Sequence, residues 1–288
     1  MLKKKVRVFI RKLLRVRKYE NVSSALDRYI INLKKTFNKN TIAKEDLSRA
    51  LKECGLEKSD NIMVHASWRN FYNFEGSPED VIKMIREIIG SQGTMLMPSY
   101  GTNRLYFDVN NTPSSAGVLS EVFRSDKNVY RSACTHFAVA AQGPLAHELT
   151  KDHFNSEYGF DYHSPYYKLS QLENSKVLFV GLGSRPTKIS LFHCAGYILK
   201  KKNDYLKDLL SHRYISKLVV NGNEYAKEMV IRKPGHGNNN KIFKRVLHEI
   251  EKKKQTKIKN IDLVVIDANE GLRKTIEFAE KGLYCYKN

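Results

Sequence analysis

The sequence predicts an α/β protein built around a central sheet, and three observations carry that. Short apolar runs such as Val177 to Val180 and Leu263 to Ile266 are strand-sized, and they alternate with segments of helical periodicity. None approaches the roughly 20 apolar residues that a membrane span needs. The chain has 288 residues, 41% hydrophobic and 28% charged, ordinary values for a soluble fold with enough apolar surface to close a core.

In chain order, residues 1–40 form a basic extension in which Val6, Phe9, Ile10, Leu13 and Leu14 recur at helical spacing. Such an amphipathic helix either lies on acidic lipid or packs as a solvated basic helix on the body. Basic residues interrupt its apolar ones throughout, so it lacks the continuous apolar stretch of a secretory signal. The remainder, 41–288, reads as the α/β domain. Residues 42–54 are helical, with Leu47, Ala50, Leu51 and Cys54 on one face and Gly55 as the stop. Asn61 to His65 is a buried strand. Ser77 caps a helix that has Pro78 at its first position and buries Val81, Met84, Ile85 and Ile88 before Gly90 ends it. Gly93 to Pro98 turns into a second buried strand, 117–123 is a short helix and 139–142 a strand.

The third buried strand, 176–182, runs into a glycine-containing loop, Gly181 to Arg185, and a helix carrying His193 follows. Gly181-Leu182-Gly183 lacks the third glycine of a dinucleotide fingerprint. Residues 201–235 look like a β-rich insert, with strands 217–220 and 224–231 joined by Asn221-Gly222, a strong hairpin turn. A polar loop at 238 becomes a helix to 251, 262–267 is strand-like and 270–281 helical.

Functional residues of open α/β sheets gather at the carboxyl ends of strands. Three loops qualify: His65-Ala66-Ser67-Trp68-Arg69, Pro98-Ser99-Tyr100-Gly101, and Gly181 to Arg185 leading to His193. Each residue also has an ordinary structural reading: His65 as a satisfied strand-end histidine, Ser67 as a cap, Trp68 as packing, Tyr100 as a wall, His193 as a histidine in an apolar segment. Cys134 and His136, two apart on a strand, would face one side and could support a thiolate nucleophile, although such pairs are common by chance. The four cysteines, at 54, 134, 194 and 285, and the nine histidines show no ligand-like spacing, so no metal is expected and the thiols read as free in a reduced, cytoplasmic protein. The residues alone reach an α/β enzyme with an anion-friendly site and a histidine base, without naming a reaction.

Several segments, in order, resemble the aminoglycoside 3-N-acetyltransferase family. SDNIMVHASW is similar to its strand ending in His-Ser-Ser, and GSQGTMLMPSY to its Gly-Thr-Leu-x-Met-Pro segment. FDVNNTPSSAGVLSEVFR, RSACTHFAVAAQGPLAHEL, FDYHSPYYKL and KVLFVGLG follow in the family order, and ISLFHCAGY falls where the family has Thr-x-x-His-x-x-Glu. The resemblance runs from about 42 to 200 and more loosely to the end. It implies a three-layer α/β/α fold with a central mixed sheet, acetyl-CoA as co-substrate and an amino-sugar acceptor. The family's histidine falls on His193, which would take the proton of the attacking amine. His65, Ala66, Ser67, Ser99 and Tyr100 would line the acetyl-CoA site with Arg131 and Ser132 near it, and Ser67 with backbone N–H groups would stabilise the oxyanion. The sequence departs from the family at Gly196, where the family has glutamate, at Cys134-Thr135 for its His-Pro pair, at Ala138 for a serine and at Ala66. Asp161 is a candidate substitute for the missing carboxylate.

The formal net charge of +20 repels a polycationic antibiotic at long range and attracts CoA and nucleotide-linked sugars. The charge therefore favours a nucleotide-linked amino sugar or a surface-glycan precursor. The alternatives are an aminoglycoside antibiotic, or a non-catalytic relative that binds anions or nucleic acid. Peripheral contact of residues 1–40 with the inner membrane face is left open.

Overall fold

The computed structural model describes residues 22–37 and 40–287. The helix predicted through Val6 to Leu14 lies outside the described residues. Helix α1 (Val22–Phe37) carries exposed Leu26, Tyr29, Ile30 and Leu33. Among the described residues, no helix is long and apolar enough to cross a membrane.

The body opens with α2 (Lys44–Glu53), which buries Leu47, Ala50 and Leu51 and is stopped at Gly55, whose φ of 93° suits a residue without Cβ. Strand β1 (Asn61–Ala66) follows. Helix α3 (Pro78–Ile89) starts on a full capping box: the Asp80 N–H donates to the Ser77 hydroxyl, and the Ser77 N–H to the Asp80 carboxylate. Next come β2 (Thr94–Pro98), β3 (Tyr106–Asp108), α4 (Val118–Arg124), β4 (Tyr130–Arg131), β5 (Val139–Gln142), α5 (Ala146–Thr150), α6 (Pro165–Ser170) and β6 (Ser175–Val180). A 3-10 turn, Ser190–His193, leads into α7 (Cys194–Leu199), then α8 (Asp204–Leu209), β7 (His212–Val220), β8 (Asn223–Ile231) and β9 (Gly237–Asn238). The chain ends through α9 (Asn240–Glu249), β10 (Lys254–Ile258), β11 (Ile261–Asp267), α10 (Ala268–Glu280) and β12 (Tyr286–Lys287).

Seven strands form the main sheet in the order β10-β11-β6-β1-β2-β5-β4. Its centre is parallel, β6 with β1 and β1 with β2, while β11, β5, β4 and β10 join antiparallel. The sheet is mixed, as expected. Because successive side chains in a strand point to opposite faces, Met63, Leu96, Val177, Phe179, Val264 and Ile266 face one core. Ile62, Val64, Met95, Met97, Leu178 and Val265 face the other. Helices α2, α3 and α4 cover the second face, and α5, α6, α7, α9 and α10 the first, which makes the three-layer sandwich. A strand covered on both faces must be apolar on both, which is why these strands read as continuous runs.

The region 201–235 differs from the expected β-rich insert in two ways. It begins with α8, and its hairpin is not self-contained, since β7 also pairs in parallel with β3. The hairpin turns at Asn221 and Gly222, with φ of 49° and 81°, as the Asn-Gly signal requires. Phe107, Ala138 and Leu218 make its small core, so the alanine found where the family has a serine is a packing residue. The strand β10, Lys-Gln-Thr-Lys-Ile, went unpredicted: it is a charged edge strand with little apolar signal.

Candidate active site

The three predicted loops converge at one end of the sheet. His65 pairs with Phe179 and Ala66 with Val180 across β1 and β6, and Pro98 sits opposite Val139 across β2 and β5. The Ser99 N–H donates to the Ala138 carbonyl, and the Ser132 N–H to that of Val139. The carboxyl ends of β1, β2 and β6 thus share a rim with the turn after β4.

His65 is buried, its ring stacked on Phe179 at 5.4 Å, and its Nε2 has no hydrogen-bond partner. It is therefore not the satisfied strand-end histidine of the ordinary reading. Burial drives its pKa down to about 4. The Ser99 hydroxyl is likewise buried and unpartnered. Ser67 is half-buried; its N–H donates to the Val180 carbonyl, so this N–H is not free to hold an oxyanion, and its hydroxyl caps nothing. Trp68 stacks on Phe71 at 4.9 Å and packs against Phe74. At Gly183, with φ of 79°, no atom beyond its own chain neighbours lies within 4 Å of where a Cβ would be. The rim thus holds two buried polar atoms without protein partners, His65 Nε2 and the Ser99 hydroxyl.

Arg131 is committed elsewhere. Its guanidinium donates to the carbonyls of Ser99 (3.0 and 2.5 Å), Val109 (3.0 Å) and Thr112 (2.6 Å), and lies over the Phe107 ring. These bonds tie three loops together and leave little donor capacity for a phosphate. Ser132 is enclosed too. Its hydroxyl meets His153 Nδ1 at 2.7 Å and accepts from the Val139 N–H. Both residues support the rim from behind. The Arg131→Ala variant is expected to lose about 2–4 kcal/mol of stability in urea unfolding, because three carbonyls lose a charged donor. Its affinity for acetyl-CoA should change little in the fraction that stays folded.

The Cys134-His136 pair is corrected by the fold. The two lie in the loop between β4 and β5, not on a strand, and Cys134 is fully buried, with its thiol pushed up to about 11 by desolvation. A thiol so buried is no nucleophile. His136 instead meets the Tyr214 hydroxyl at 3.3 Å, beneath the hairpin.

His193 stands at the end of its 3-10 turn, half-buried, on the same sheet face as His65. The rings of Phe160 at 4.9 Å and Phe243 at 5.7 Å flank it, and Tyr286 stacks on it at 5.4 Å. Its Nδ1 is 2.9 Å from the Tyr286 hydroxyl. Burial, helped by the positive charge of Arg232, pushes its pKa down to about 3, so the ring is neutral. Phe160 continues to Phe137 at 4.1 Å and Phe137 to Tyr100 at 6.0 Å, an aromatic wall joining His193 to the β2 loop.

Asp161 does not replace the carboxylate missing at Gly196. It accepts from the Ser156 hydroxyl and from the N–H groups of Glu157, Tyr158 and His163, closing its own loop. Tyr286 and Arg232 escaped sequence reasoning, because nothing local in a C-terminal Tyr-Cys-Tyr marks a contact with a residue about ninety positions earlier. A groove of about 1050 Å³ between α3 and α4 is no competitor for the site. Lined by Glu79, Arg86, Glu121 and Gln142 among others, it lies on the opposite face at the amino ends of the parallel strands.

Residues 63–280 match the family described as aminoglycoside 3-N-acetyltransferase. Aminoglycoside N(3)-acetyltransferase IV of Salmonella sp is 32% identical over 145 residues, covering 49% of this chain and 54% of that protein. The aminoglycoside N(3')-acetyltransferase-like protein YokD of Bacillus subtilis is 26% identical over 179 residues, covering 54% and 64%. The chain thus spans about half to two thirds of these curated relatives. Among solved structures, AAC-IIIb in a binary complex with CoASH superposes with a TM-score of 0.71 at 20% identity, covering 86% of this chain and all of that one. A mutant of AAC(3)-IVa in complex with a gentamicin does so with a TM-score of 0.71 at 21% identity, covering 86% and 92%. At these identities the structural likeness shows the fold.

Proposed function

The chain belongs to the aminoglycoside 3-N-acetyltransferase family, and from that premise we propose that it transfers the acetyl group of acetyl-CoA to an amine of an aminoglycoside-type amino sugar, with His193 as general base. The observation that carries this is the state of His193: neutral, with Nδ1 engaged by Tyr286 and half open beside a rim of unpartnered polar atoms. Acetyl-CoA supplies the activated acyl group, and a solved relative is a complex with CoASH. His65, Ser67 and Ser99 are the residues that would meet it. With Nδ1 occupied, Nε2 is the nitrogen left to take a proton from the attacking amine. Ser67, whose hydroxyl is uncommitted, is the chain's candidate donor to the developing oxyanion.

For the acceptor, the names of the relatives support an aminoglycoside. The nucleotide-linked amino sugar, and with it a role in surface polysaccharide synthesis, has the net charge of +20 behind it. One local observation adds to that second reading: the positive charge of Arg232 acts on both His193 and His136. The test is acceptor-dependent release of the CoA thiol over gentamicin, apramycin and sisomicin on one side and nucleotide-linked amino sugars on the other. Release with the first set alone establishes the aminoglycoside reading, and release with the second alone replaces it. No release with either, together with no acetyl-CoA binding in calorimetry, removes the enzymatic reading and leaves the non-catalytic binding relative.

A further inference from the structure

We infer that Tyr286, carried in by the C-terminal strand, is the positioning residue of His193 and stands in the space that Gly196 leaves empty. The inference rests on reading His193 as the base, and four observations converge on it.

The first is spatial. A Cβ added at Gly196 would come within 3.3 Å of Tyr286 Cε2 and 3.4 Å of its hydroxyl. The tyrosine therefore fills the room that a side chain at position 196, one helical turn after His193, would use to reach back. The second is orientation. The phenol ring stacks on the imidazole with an interplanar angle of 19°, while its hydroxyl bonds Nδ1 at 2.9 Å, so both the plane and one nitrogen of the histidine are held by the same residue.

The third is how Tyr286 is itself held. It is buried, β12 pairs Tyr286 with Asn238 of β9, and the Asn239 N–H donates to the Cys285 carbonyl. Arg232, anchored by donating to Asn238 Oδ1 at 2.7 Å, lies over the Tyr286 ring at 5.2 Å. The fourth is a second hydroxyl: that of Tyr158 lies 3.5 Å from that of Tyr286.

Two proton arrangements satisfy these contacts, and the role of His193 as a base selects between them. Tyr286 has one proton to give. If it gave that proton to Nδ1, the neutral imidazole would carry its own hydrogen on Nε2 and could accept nothing there. If Nδ1–H donates to the Tyr286 oxygen and Tyr286 donates onward to Tyr158, the same two contacts are kept and Nε2 presents its lone pair. Only the second arrangement makes a base. Burial and the neighbouring Tyr158 hold the Tyr286 hydroxyl well above its ordinary pKa, so it remains a neutral phenol. A phenol orients an imidazolium without cancelling its charge, which a carboxylate would do. Together with Arg232, this makes His193 a well-placed but weak base.

The experiment combines nitrogen NMR of the histidine ring with kinetics, on the full chain. In the wild type, long-range proton–nitrogen spectra should show His193 as the Nδ1–H tautomer, its signals assigned by their loss in His193→Asn. Tyr286→Phe keeps the ring stack and removes only the oxygen. It should shift His193 to a tautomer mixture and lower kcat by about tenfold to a hundredfold with little change in KM. Gly196→Glu added to Tyr286→Ala should recover part of that kcat and move the acid limb of kcat/KM to higher pH. Loss of a phenol oxygen that merely filled space would leave the tautomer unchanged.

An unchanged tautomer in Tyr286→Phe, or an Nε2–H tautomer in the wild type, overturns the inference. If the wild type shows no acetyl transfer with any acceptor but Tyr286→Phe still moves the tautomer, the positioning role stands and only the enzymatic reading falls.

Discussion

His193→Ala should lower acceptor-dependent CoA release by about 10²- to 10⁴-fold, the range that a positioned base contributes to acyl transfer. Binding of acetyl-CoA should survive. His193 lies across the aromatic wall from the β2 loop, while the unpartnered groups at the rim, His65 Nε2 and the Ser99 hydroxyl, belong to β1 and to the turn after β2. The loss should therefore fall on kcat and leave the calorimetric affinity for acetyl-CoA within a few-fold. His193→Gln serves as the companion. It fills much of the space among Phe160, Phe243 and Tyr286 but has no basic nitrogen, so it should be as inactive and closer to wild type in stability. An active His193→Gln would mean that the ring only packs, and that the amine loses its proton to solvent.

The second large effect is on stability in acid. His65 and His153 are both buried, and desolvation brings their pKa values down to about 4 and about 3, from an ordinary 6.5. The unfolded chain takes up a proton on each below pH 6.5, whereas the folded chain does not until far lower. Folding stability is therefore complete above that pH and falls as the pH drops towards the folded values. At pH 5 each histidine should have cost about 2 kcal/mol relative to neutral pH, some 4 kcal/mol for the pair, and the half-buried His136 and His193, depressed in the same direction, add to the loss. The atoms explain the resistance to charge. His65 faces Phe179 and has no partner for an extra N–H. His153 accepts from the Ser132 hydroxyl at Nδ1 and donates to the Gly159 carbonyl from Nε2, so protonation would reverse the first bond and deprive the Ser132 hydroxyl proton of its acceptor. Urea unfolding at pH 7 and pH 5 checks this. Equal midpoints and slopes at the two values would show that neither histidine is held neutral by the fold. His153→Phe should recover part of the loss at pH 5 while costing stability at pH 7, because the Ser132 hydroxyl then has no acceptor.

The strands, the caps and the turn at Asn221-Gly222 were legible because each is written in neighbouring residues. A strand covered on both faces needs an unbroken apolar run, a helix start needs an acceptor for its free N–H groups, and a hairpin turn needs positive φ. The rim was legible too, since polar residues following buried strands have only the carboxyl end of the sheet to occupy. The partners of the rim residues were not. Arg131 resembled a site residue because an arginine beside a loop has the right charge for a phosphate. It proved to be spent on three carbonyls that come together only when β2, β3 and β4 are in place.

The sandwich, the family and the histidine at the end of the third loop are all properties of short segments and their order, and the chain alone carries them. The condition of that histidine belongs to the folded molecule. A glycine at 196 reads as a missing carboxylate, and Asp161 as the nearest substitute, yet Asp161 closes its own loop and a tyrosine from the last strand enters the gap. A hydrogen bond acts over about 3 Å in space and takes no account of distance along the chain. The bond between His193 and Tyr286 therefore exists only after β9 and β12 have paired.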